Sequence, residues 1–582
     1  MSTIQNVEKD ITKIVKDLGY EIDKVNLVPS GRRELGEFQI NDAFSLAKAN
    51  HTNPREIAER IVAELKKDAR FENLNIAGAG FINLSFSESF YLEFLKEIQK
   101  DIKNNIDLEP KKKIIIDYGG ANVAKILHVG HLRSANIGEA LKRLTRLLGM
   151  EVIGDVHLGD SGLQAGMVVS EMMERYPDLP CFKENYQGES FLLPITSEDL
   201  SEIYPEASKK AKEDENKMKL AQEITYQIQK GHLGYCTLWN QVKELSLIEI
   251  KKIYSDLNTT FELWEGELDS FQYIPGMLEY LKGKNLLEIS EGATIMDIKK
   301  ETDKKEMPPI ILVTSNGASV YATTDLATIV GRMKRFSPDE IWYLADNRQE
   351  LHFEQVFRAS KKSNITTDET KLEFIGFGTM NGPDGKPFKT RDGGVMTLRD
   401  LINLVNEETR KRLNPMITDE EEQKEISKMI AIAALKYADF LPFRTTDYIF
   451  EPSKFADLEG KTGPYLLYST IRMKSLLKKA KNEGYETYEI KKLKNETDKE
   501  VLESLLTMPK VLKKAYDTKS LNDIAEFLYK ITSTYNKFYS ENHILTSKDE
   551  ELKTSWLALT DSVYKTNLLL LDILGIEVPE KM

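Results

Sequence analysis

Between Lys112 and Met150 the spacing of apolar residues changes from that of a strand to that of a helix. Ile114, Ile115 and Ile116 form a β-branched run suited to a strand buried on both faces of a parallel sheet, and Gly119-Gly120 end it. Beyond His131, Ile137, Leu141, Leu144 and Leu148 recur at steps of four, three and four, which is one apolar helix face, and Gly149 stands where a C-terminal cap belongs. Upstream, Asn53 followed by Pro54 predicts a helix start, with Ile57, Ile61 and Leu65 on its buried face, and residues 78–84 read as a strand. Downstream, a strand at 152–157 is followed by a mainly helical, highly charged stretch from 165 to about 300. Strands at 310–313, 341–344 and 372–377 then alternate with helices at 326–333 and 353–360, an α/β pattern with a parallel sheet. From about 426 the pattern is helical to the end.

At 582 residues the chain is expected to divide into several domains. We read an α+β unit at 1–108, a Rossmann-like catalytic domain at 109–380 with an insertion at about 165–300, a loop and bridging region at 381–459, and an all-α bundle at 460–582. The N-terminal stretch has no basic-then-apolar leader and no apolar run approaches a membrane span, so a cytoplasmic protein is expected. Cys181 and Cys236 lie far apart, which leaves neither a disulfide framework nor a cysteine metal site. The net charge of −13 is uneven: residues 461–582 carry 20 Lys+Arg against 18 Asp+Glu, so the acidity lies upstream and the tail is a candidate RNA face.

The sharpest chemistry is His128-Val129-Gly130-His131 with Lys125 just ahead of it. Two histidines at a helix start offer N–H donors to phosphate oxygens, and Gly130 leaves the backbone open to a ligand. The spacing is not that of a helical zinc pair, H-E-x-x-H, and no metal ligands are assigned. Strand before, apolar helix after and a lysine within reach suit the triphosphate of ATP. Gly460-Lys461-Thr462 is not a P-loop, because the first glycine of that motif would fall at Phe455.

The stretch Ala121–His131, ANVAKILHVGH, with Leu132-Arg133-Ser134 after it, resembles the first signature of class I aminoacyl-tRNA synthetases in the form found in arginyl-tRNA synthetases. Further likenesses are Gly159–Gln164 (GDSGLQ), Phe261–Glu267 (FELWEGE), Tyr321–Asp325, His352–Gln355, Arg444–Tyr448 and Glu459–Tyr468; the family more often has alanine where this chain has Gly463. Residues 36–39 and 80–83 resemble the family's N-terminal domain, which binds the outer corner of tRNA.

The resemblance implies an arginine–tRNA ligase that joins L-arginine to tRNA(Arg) through an arginyl-adenylate, with ATP as substrate and Mg2+ as helper. Lys125, His128, His131, Lys386 and Lys389 would be catalytic by positioning and charge neutralisation, with His128, Gly130, His131 and Lys389 on ATP. Asn122 and Gln355 would hold the α-groups of arginine, and Glu267, Tyr321 and Asp325 would read its side chain. Tyr465, Tyr468 and Arg472 would contact tRNA, and the chain is expected to be a monomer. Lys386–Arg391 replaces the usual second signature, K-M-S-K-S, and leaves open which lysine meets pyrophosphate. The alternatives are a class I synthetase for another amino acid, another H-x-G-H nucleotidyltransferase, and a catalytically silent synthetase-like RNA-binding protein.

Overall fold

The computed structural model describes residues 1–315, 317–386, 388, 396–413 and 417–582. Near the N-terminus, β1 (Leu27–Pro29), β2 (Phe38–Ile40), β3 (Phe71–Ala77) and β4 (Phe81–Phe86) form an antiparallel sheet in the order β1-β2-β4-β3. The predicted helix runs Pro54–Leu65; Asn53 accepts from the Arg55 N–H at 2.9 Å, and Ile57, Ile61 and Leu65 are fully buried. The motif residues of this unit hold the sheet together. Gln39 and Asn83 are register partners whose amides meet at 3.0 Å, and the buried Glu37 carboxylate accepts from the Tyr91 hydroxyl at 2.7 Å and the Phe86 N–H at 3.0 Å.

The central sheet contains β5 (Lys113–Asp117) and β6 (Glu151–Asp155). After the insertion come β7 (Glu288–Ser290), β8 (Ala293–Met296) and β9 (Ile310–Val313), and then β10 (Glu340–Asp346) and β11 (Lys371–Phe377). The order is β11-β10-β5-β6, every neighbour parallel, and Ile114, Ile115 and Ile116 are fully buried within it. All four strands point their carboxyl ends the same way, where open α/β sheets bind ligands.

One expected strand belongs elsewhere. Ile310–Val313 does not join the parallel sheet; β9 pairs antiparallel with β8 in a separate sheet ordered β7-β8-β9. The hairpin that receives it lies inside a charged stretch read as helical. Pro308 and Pro309 lack N–H donors, which keeps the pairing short on that side.

Four long helices, Gly463–Asn482, Glu496–Thr518, Asn522–Glu541 and Glu550–Ile573, form the C-terminal bundle, which the helix Glu420–Phe440 joins to the sheet domain. The N-terminal unit rests on this bundle. Arg33 makes a bidentate pair with Glu503 at 2.5 and 2.6 Å, and the Asn105 amide donates to the Leu505 carbonyl at 2.8 Å. Gly463 begins the bundle where a Cβ would fall 2.3 Å from the Ala433 carbonyl oxygen. The obstacle is backbone and cannot rotate away, which explains the glycine. Gly463→Ala is expected to cost about 1–3 kcal/mol, the usual penalty of overpacking, as a lower denaturant midpoint.

Candidate active site

The segment leaving β5 turns through Gly119 (φ +95°) and Gly120 (φ +62°), conformations that L side chains rarely adopt. It is then stitched to the turn after β6: the Val123 N–H donates to the Gly159 carbonyl at 3.0 Å, and the Gly159 N–H donates to the Ala121 carbonyl at 2.9 Å. A Cβ on Gly159 would lie 2.3 Å from Asn122 Oδ1, so this glycine makes room for the Asn122 amide. The helix Gly130–Leu147 follows, its Ser134 hydroxyl accepting from the Gly119 N–H at 2.8 Å. Arg133 and Asn136 fix its far side by donating to the buried Asp439 carboxylate at 2.8 and 3.0 Å.

The two signature histidines face each other with ring centroids 4.1 Å apart. His128 Nδ1 accepts from the Gly130 N–H at 3.0 Å and His131 Nδ1 from the His128 N–H at 3.1 Å. Accepting at Nδ1 leaves the proton of the neutral His128 ring on Nε2, a donor for a phosphate oxygen, whereas His131 Nδ1 also lies 3.2 Å from the His128 carbonyl oxygen, to which it can donate instead. Burial pushes His128 below its ordinary value, with Lys125 adding to the effect, and pushes His131 down to about 3. Both rings are thus held in the neutral form, the state in which an imidazole N–H can donate to a phosphate oxygen as the sequence suggested. The space a Cβ would take at Gly130 is filled by the His128 ring at 2.8 Å, so this glycine admits the histidine rather than the ligand.

The depressed His131 also sets a pH dependence. The unfolded chain takes up a proton as pH falls through the ordinary value of 6.5 while the folded chain stays neutral to about 3, so stability is lost across that window. Replacing His131 by glutamine is expected to flatten this acid limb, measured as urea midpoints between pH 7 and pH 4.

The downstream end of the loop after β11 returns to the signature. Thr397 bridges His128, and the Leu398 N–H donates to the Leu127 carbonyl at 2.8 Å. Lys386 is exposed on a turn closed by the Gly382 N–H on its carbonyl at 2.7 Å; Lys389 lies outside the described residues. The Lys125 ammonium stands 5.1 Å over the Tyr204 ring of the insertion.

Beside this turn lies a cluster of acidic residues. Phe261–Glu267 runs along the extension of β6, with Asp155 bridging Leu263 and Leu158 bridging Gly266. It ends with Glu267 buried and accepting from the Ser161 hydroxyl at 2.5 Å. Burial raises the Glu267 pKa, which Ser161 and His157 oppose. Asp160 is also buried; it accepts from Lys243 at 2.7 Å and from the Leu268 N–H at 2.8 Å. Tyr321 opens the helix Tyr321–Phe336 and is 63% exposed. One turn on, Asp325 meets His352 Nε2 at 2.5 Å.

Gln355 is placed away from the other expected residues. Its amide donates to the carbonyls of Pro308 at 3.1 Å and Pro309 at 3.5 Å, so it braces the approach to β9, and His352, three residues earlier, reaches the cluster instead. Sequence reasoning also missed the floor. Arg332, two turns beyond Asp325, donates to Asp117 and Asp155 at 2.6 Å each, and these carboxylates close β5 and β6. Together with His157, those two acids are the one metal-like group among the described residues. The Arg332 guanidinium already bridges the carboxylates, so the group does not fit a metal ion.

In the bundle, Asn536 donates to the Tyr465 hydroxyl at 2.8 Å and to Ser469 Oγ at 3.1 Å. Arg472 also contacts Asn536 and lies over the Tyr468 and Tyr539 rings at 5.9 and 4.9 Å. The three tail residues expected from sequence thus share one partly exposed face.

The family model described as "tRNA synthetases class I (R), catalytic domain" matches residues 93–452. The chain belongs to the class I arginyl-tRNA synthetases. In this synthetase the "Arginyl tRNA synthetase N terminal domain" model matches residues 4–86 and the "DALR anticodon binding domain" model residues 466–582. It is 44% identical to the arginine–tRNA ligase of Alkaliphilus oremlandii over 99% of each chain. It is 41% identical to that of Agathobacter rectalis, over 100% of this chain and 99% of the relative. The synthetase shares its fold with the arginyl-tRNA synthetases of Plasmodium falciparum (TM-score 0.81, 24% identity, 100% of each chain) and Thermus thermophilus (TM-score 0.79, 19% identity, 99% of each).

Proposed function

We infer that this chain is an arginine–tRNA ligase. It converts ATP, L-arginine and tRNA(Arg) into L-arginyl-tRNA(Arg), AMP and diphosphate through an arginyl-adenylate. The observation that carries the reading is the junction of two sites. Glu267, on which the Asp325 charge acts, lies on the segment paired beside the turn that carries His128 and His131, on a chain 44% identical along its length to a named arginine–tRNA ligase.

The acidic cluster suits a guanidinium, a planar fork of donors that two carboxylates can share. Glu267 and Asp325 would take opposite sides of it beneath Tyr321, and Asn122 would hold an α-group. A carboxylate oxygen of arginine attacks the α-phosphorus of ATP, the bond to the diphosphate oxygen breaks in line, and no side chain becomes covalent. His128 and His131 would donate to phosphate oxygens, while Lys125 and the loop with Lys386 and Lys389 would neutralise the departing diphosphate. A terminal ribose hydroxyl of tRNA then attacks the arginyl carbonyl, and AMP leaves. Magnesium would arrive on the ATP phosphates, since the Asp117–Asp155–His157 group is filled by Arg332.

In the same reading the N-terminal unit binds the outer corner of tRNA, and Tyr465, Tyr468 and Arg472 face its anticodon end. No helix among the described residues is long and apolar enough to cross a membrane. A cytoplasmic monomer fits a substrate as abundant and soluble as tRNA. The test is ATP–pyrophosphate exchange with each amino acid, with and without tRNA. Exchange specific for arginine, and requiring tRNA, is expected. Exchange driven by another amino acid, or none under any condition, would overturn the assignment, whereas strong exchange without tRNA would remove only the tRNA requirement.

A further inference from the structure

The insertion touches the signature turn at Ser246 and at Tyr204. Ser246 Oγ accepts from the Ala124 N–H at 2.9 Å, and Ala124 sits at φ +60°, a left-handed setting uncommon for a residue other than glycine. The backbone from which the Lys125 side chain leaves is therefore fixed from the insertion side. Tyr204 belongs to the helix Leu200–Glu213, one turn on from the buried Leu200, and is half-buried. It packs beside Leu163 against Met167 and the alanines Ala207 and Ala221, so the helix Leu163–Arg175, which follows Asp160 and Ser161, anchors it.

Across this ring lies the Lys125 ammonium, 5.1 Å from its centroid. Three acids, Glu198, Glu249 and Asp400, line the same cavity as Lys125, but among the described residues none of them pairs with it. Glu249 takes Arg399, and Asp400 accepts from the Thr397 hydroxyl at 2.7 Å. The difference between a carboxylate and a ring matters for a cation that is to meet phosphate. A carboxylate would cancel the charge and would have to be displaced at each turnover. A ring face attracts through its quadrupole, carries no net charge and leaves the three N–H donors of the ammonium free for an anion. The charge of Lys125 is felt at the signature histidines: burial lowers both rings, and Lys125 adds to the lowering of each.

Resting on the arginine-ligase reading, we propose that Tyr204 of the insertion is a positioning residue for adenylation, whose ring holds the Lys125 ammonium beside the signature turn, charged and unpaired, for the departing diphosphate. A long, flexible lysine stem otherwise samples many rotamers, and the ring restricts it to the neighbourhood of the phosphates without spending its charge. The arginine side of the site is close by. Burial, Glu267 and Asp325 raise the Tyr321 phenol, and Tyr204 adds to them, so the same side chain borders both halves of the site. The Tyr204 hydroxyl is thus a rival cause for any effect of removing the whole side chain, and the two causes are separable.

The experiment is ATP–pyrophosphate exchange by the full chain at saturating ATP, arginine and tRNA, with Tyr204→Leu, Tyr204→Phe, Lys125→Met and the double variant Tyr204→Leu with Lys125→Met. Tyr204→Leu keeps apolar packing and removes the ring face; it should lower the exchange kcat by roughly 3- to 30-fold, the range of a partly desolvated cation–ring contact, and leave the KM for arginine within a few-fold of the parent. Tyr204→Phe keeps the ring and should recover most of the rate. In the Lys125→Met background Tyr204→Leu should do almost nothing further, because the partner it acts through is gone. Urea midpoints accompany each chain, and Tyr204→Met, also without a ring, answers the same question if the leucine variant unfolds early. A ring-less variant that exchanges at the parent's rate would overturn the proposal. So would equal losses with and without Lys125, which mark a structural role, or a Tyr204→Phe chain as poor as Tyr204→Leu, which assigns the effect to the hydroxyl. A parent that shows no exchange with arginine and tRNA would remove the ligase reading itself, an outcome distinct from an active parent indifferent to Tyr204.

Discussion

Asp325→Asn is expected to lower kcat/KM for arginine by roughly 10²-fold or more, because removing one partner of a desolvated charge pair costs about 3–5 kcal/mol. The asparagine keeps the shape of the side chain and can still meet His352 Nε2 through its amide oxygen, so packing at the start of the helix Tyr321–Phe336 should survive. What disappears is the negative charge opposite Glu267. A guanidinium then meets one carboxylate instead of two, and the advantage of arginine over lysine, which depends on two fixed acceptors, should shrink together with the rate. The KM for ATP should barely move, since the nucleotide is assigned to the His128–His131 turn. Steady-state charging with both amino acids, alongside ATP–pyrophosphate exchange, separates these effects. A correctly folded variant that charges within a few-fold of the parent would leave Asp325 as an ordinary acid in the first turn of a helix. Discrimination by paired charges also explains why no separate editing domain is expected in this chain.

How far the site could be read from sequence follows the range of the interactions. The strand Lys113–Asp117 and the helix Gly130–Leu147 are local, and their periodicity and glycines marked both. The same local logic placed Ile310–Val313 in the wrong sheet. A four-residue apolar run has no means of indicating its partner, and the hairpin Glu288–Met296 that receives it hides in a charged stretch. Helix Glu350–Ser363 carries His352 and Gln355 three residues apart, both polar and near one face; only the packing shows that the first reaches Asp325 and the second turns to Pro308. Gly130 was read as leaving the backbone open to a ligand, whereas the space a Cβ would take there is filled by the neighbouring His128 ring. The floor of the cluster needed three dimensions, since Arg332 is 215 residues from Asp117 and 177 from Asp155. A trace was present even so: both acids end their strands at the carboxyl edge of the sheet, where a carboxylate needs a reason to be buried.

That floor carries the second large effect, on folding. The Arg332 side chain is 1% exposed, donates through Nη2 to Asp117 and Asp155 at 2.6 Å, and lies 5.3 Å over the Tyr343 ring. Among the described residues its Nε and Nη1 have no hydrogen-bond partner, so the charge contacts and the ring hold it. Burial raises the Asp117 pKa even with Arg332 beside it, which shows how poorly this site tolerates negative charge. Arg332→Met keeps much of the apolar stem and removes the cation. Two carboxylates at the ends of adjacent strands are then left without their counter-charge, and the expected loss is about 3–5 kcal/mol of unfolding free energy. Because the cost comes from the stranded acids and not from a missing contact, adding Asp117→Asn and Asp155→Asn to Arg332→Met should recover a large part of it, although each mutation alone weakens the parent. The acids also give the deficit a sign in pH: protonating one of them relieves the repulsion, so Arg332→Met should lose less relative to the parent at pH 5 than at pH 8. Urea unfolding of the parent, the three single variants and the triple variant at both pH values measures these differences. A loss below about 1 kcal/mol for Arg332→Met, in the range of exposed ion pairs, would mean that the sheet edge does not depend on this guanidinium, and the floor of the acidic cluster would have to be held by something else.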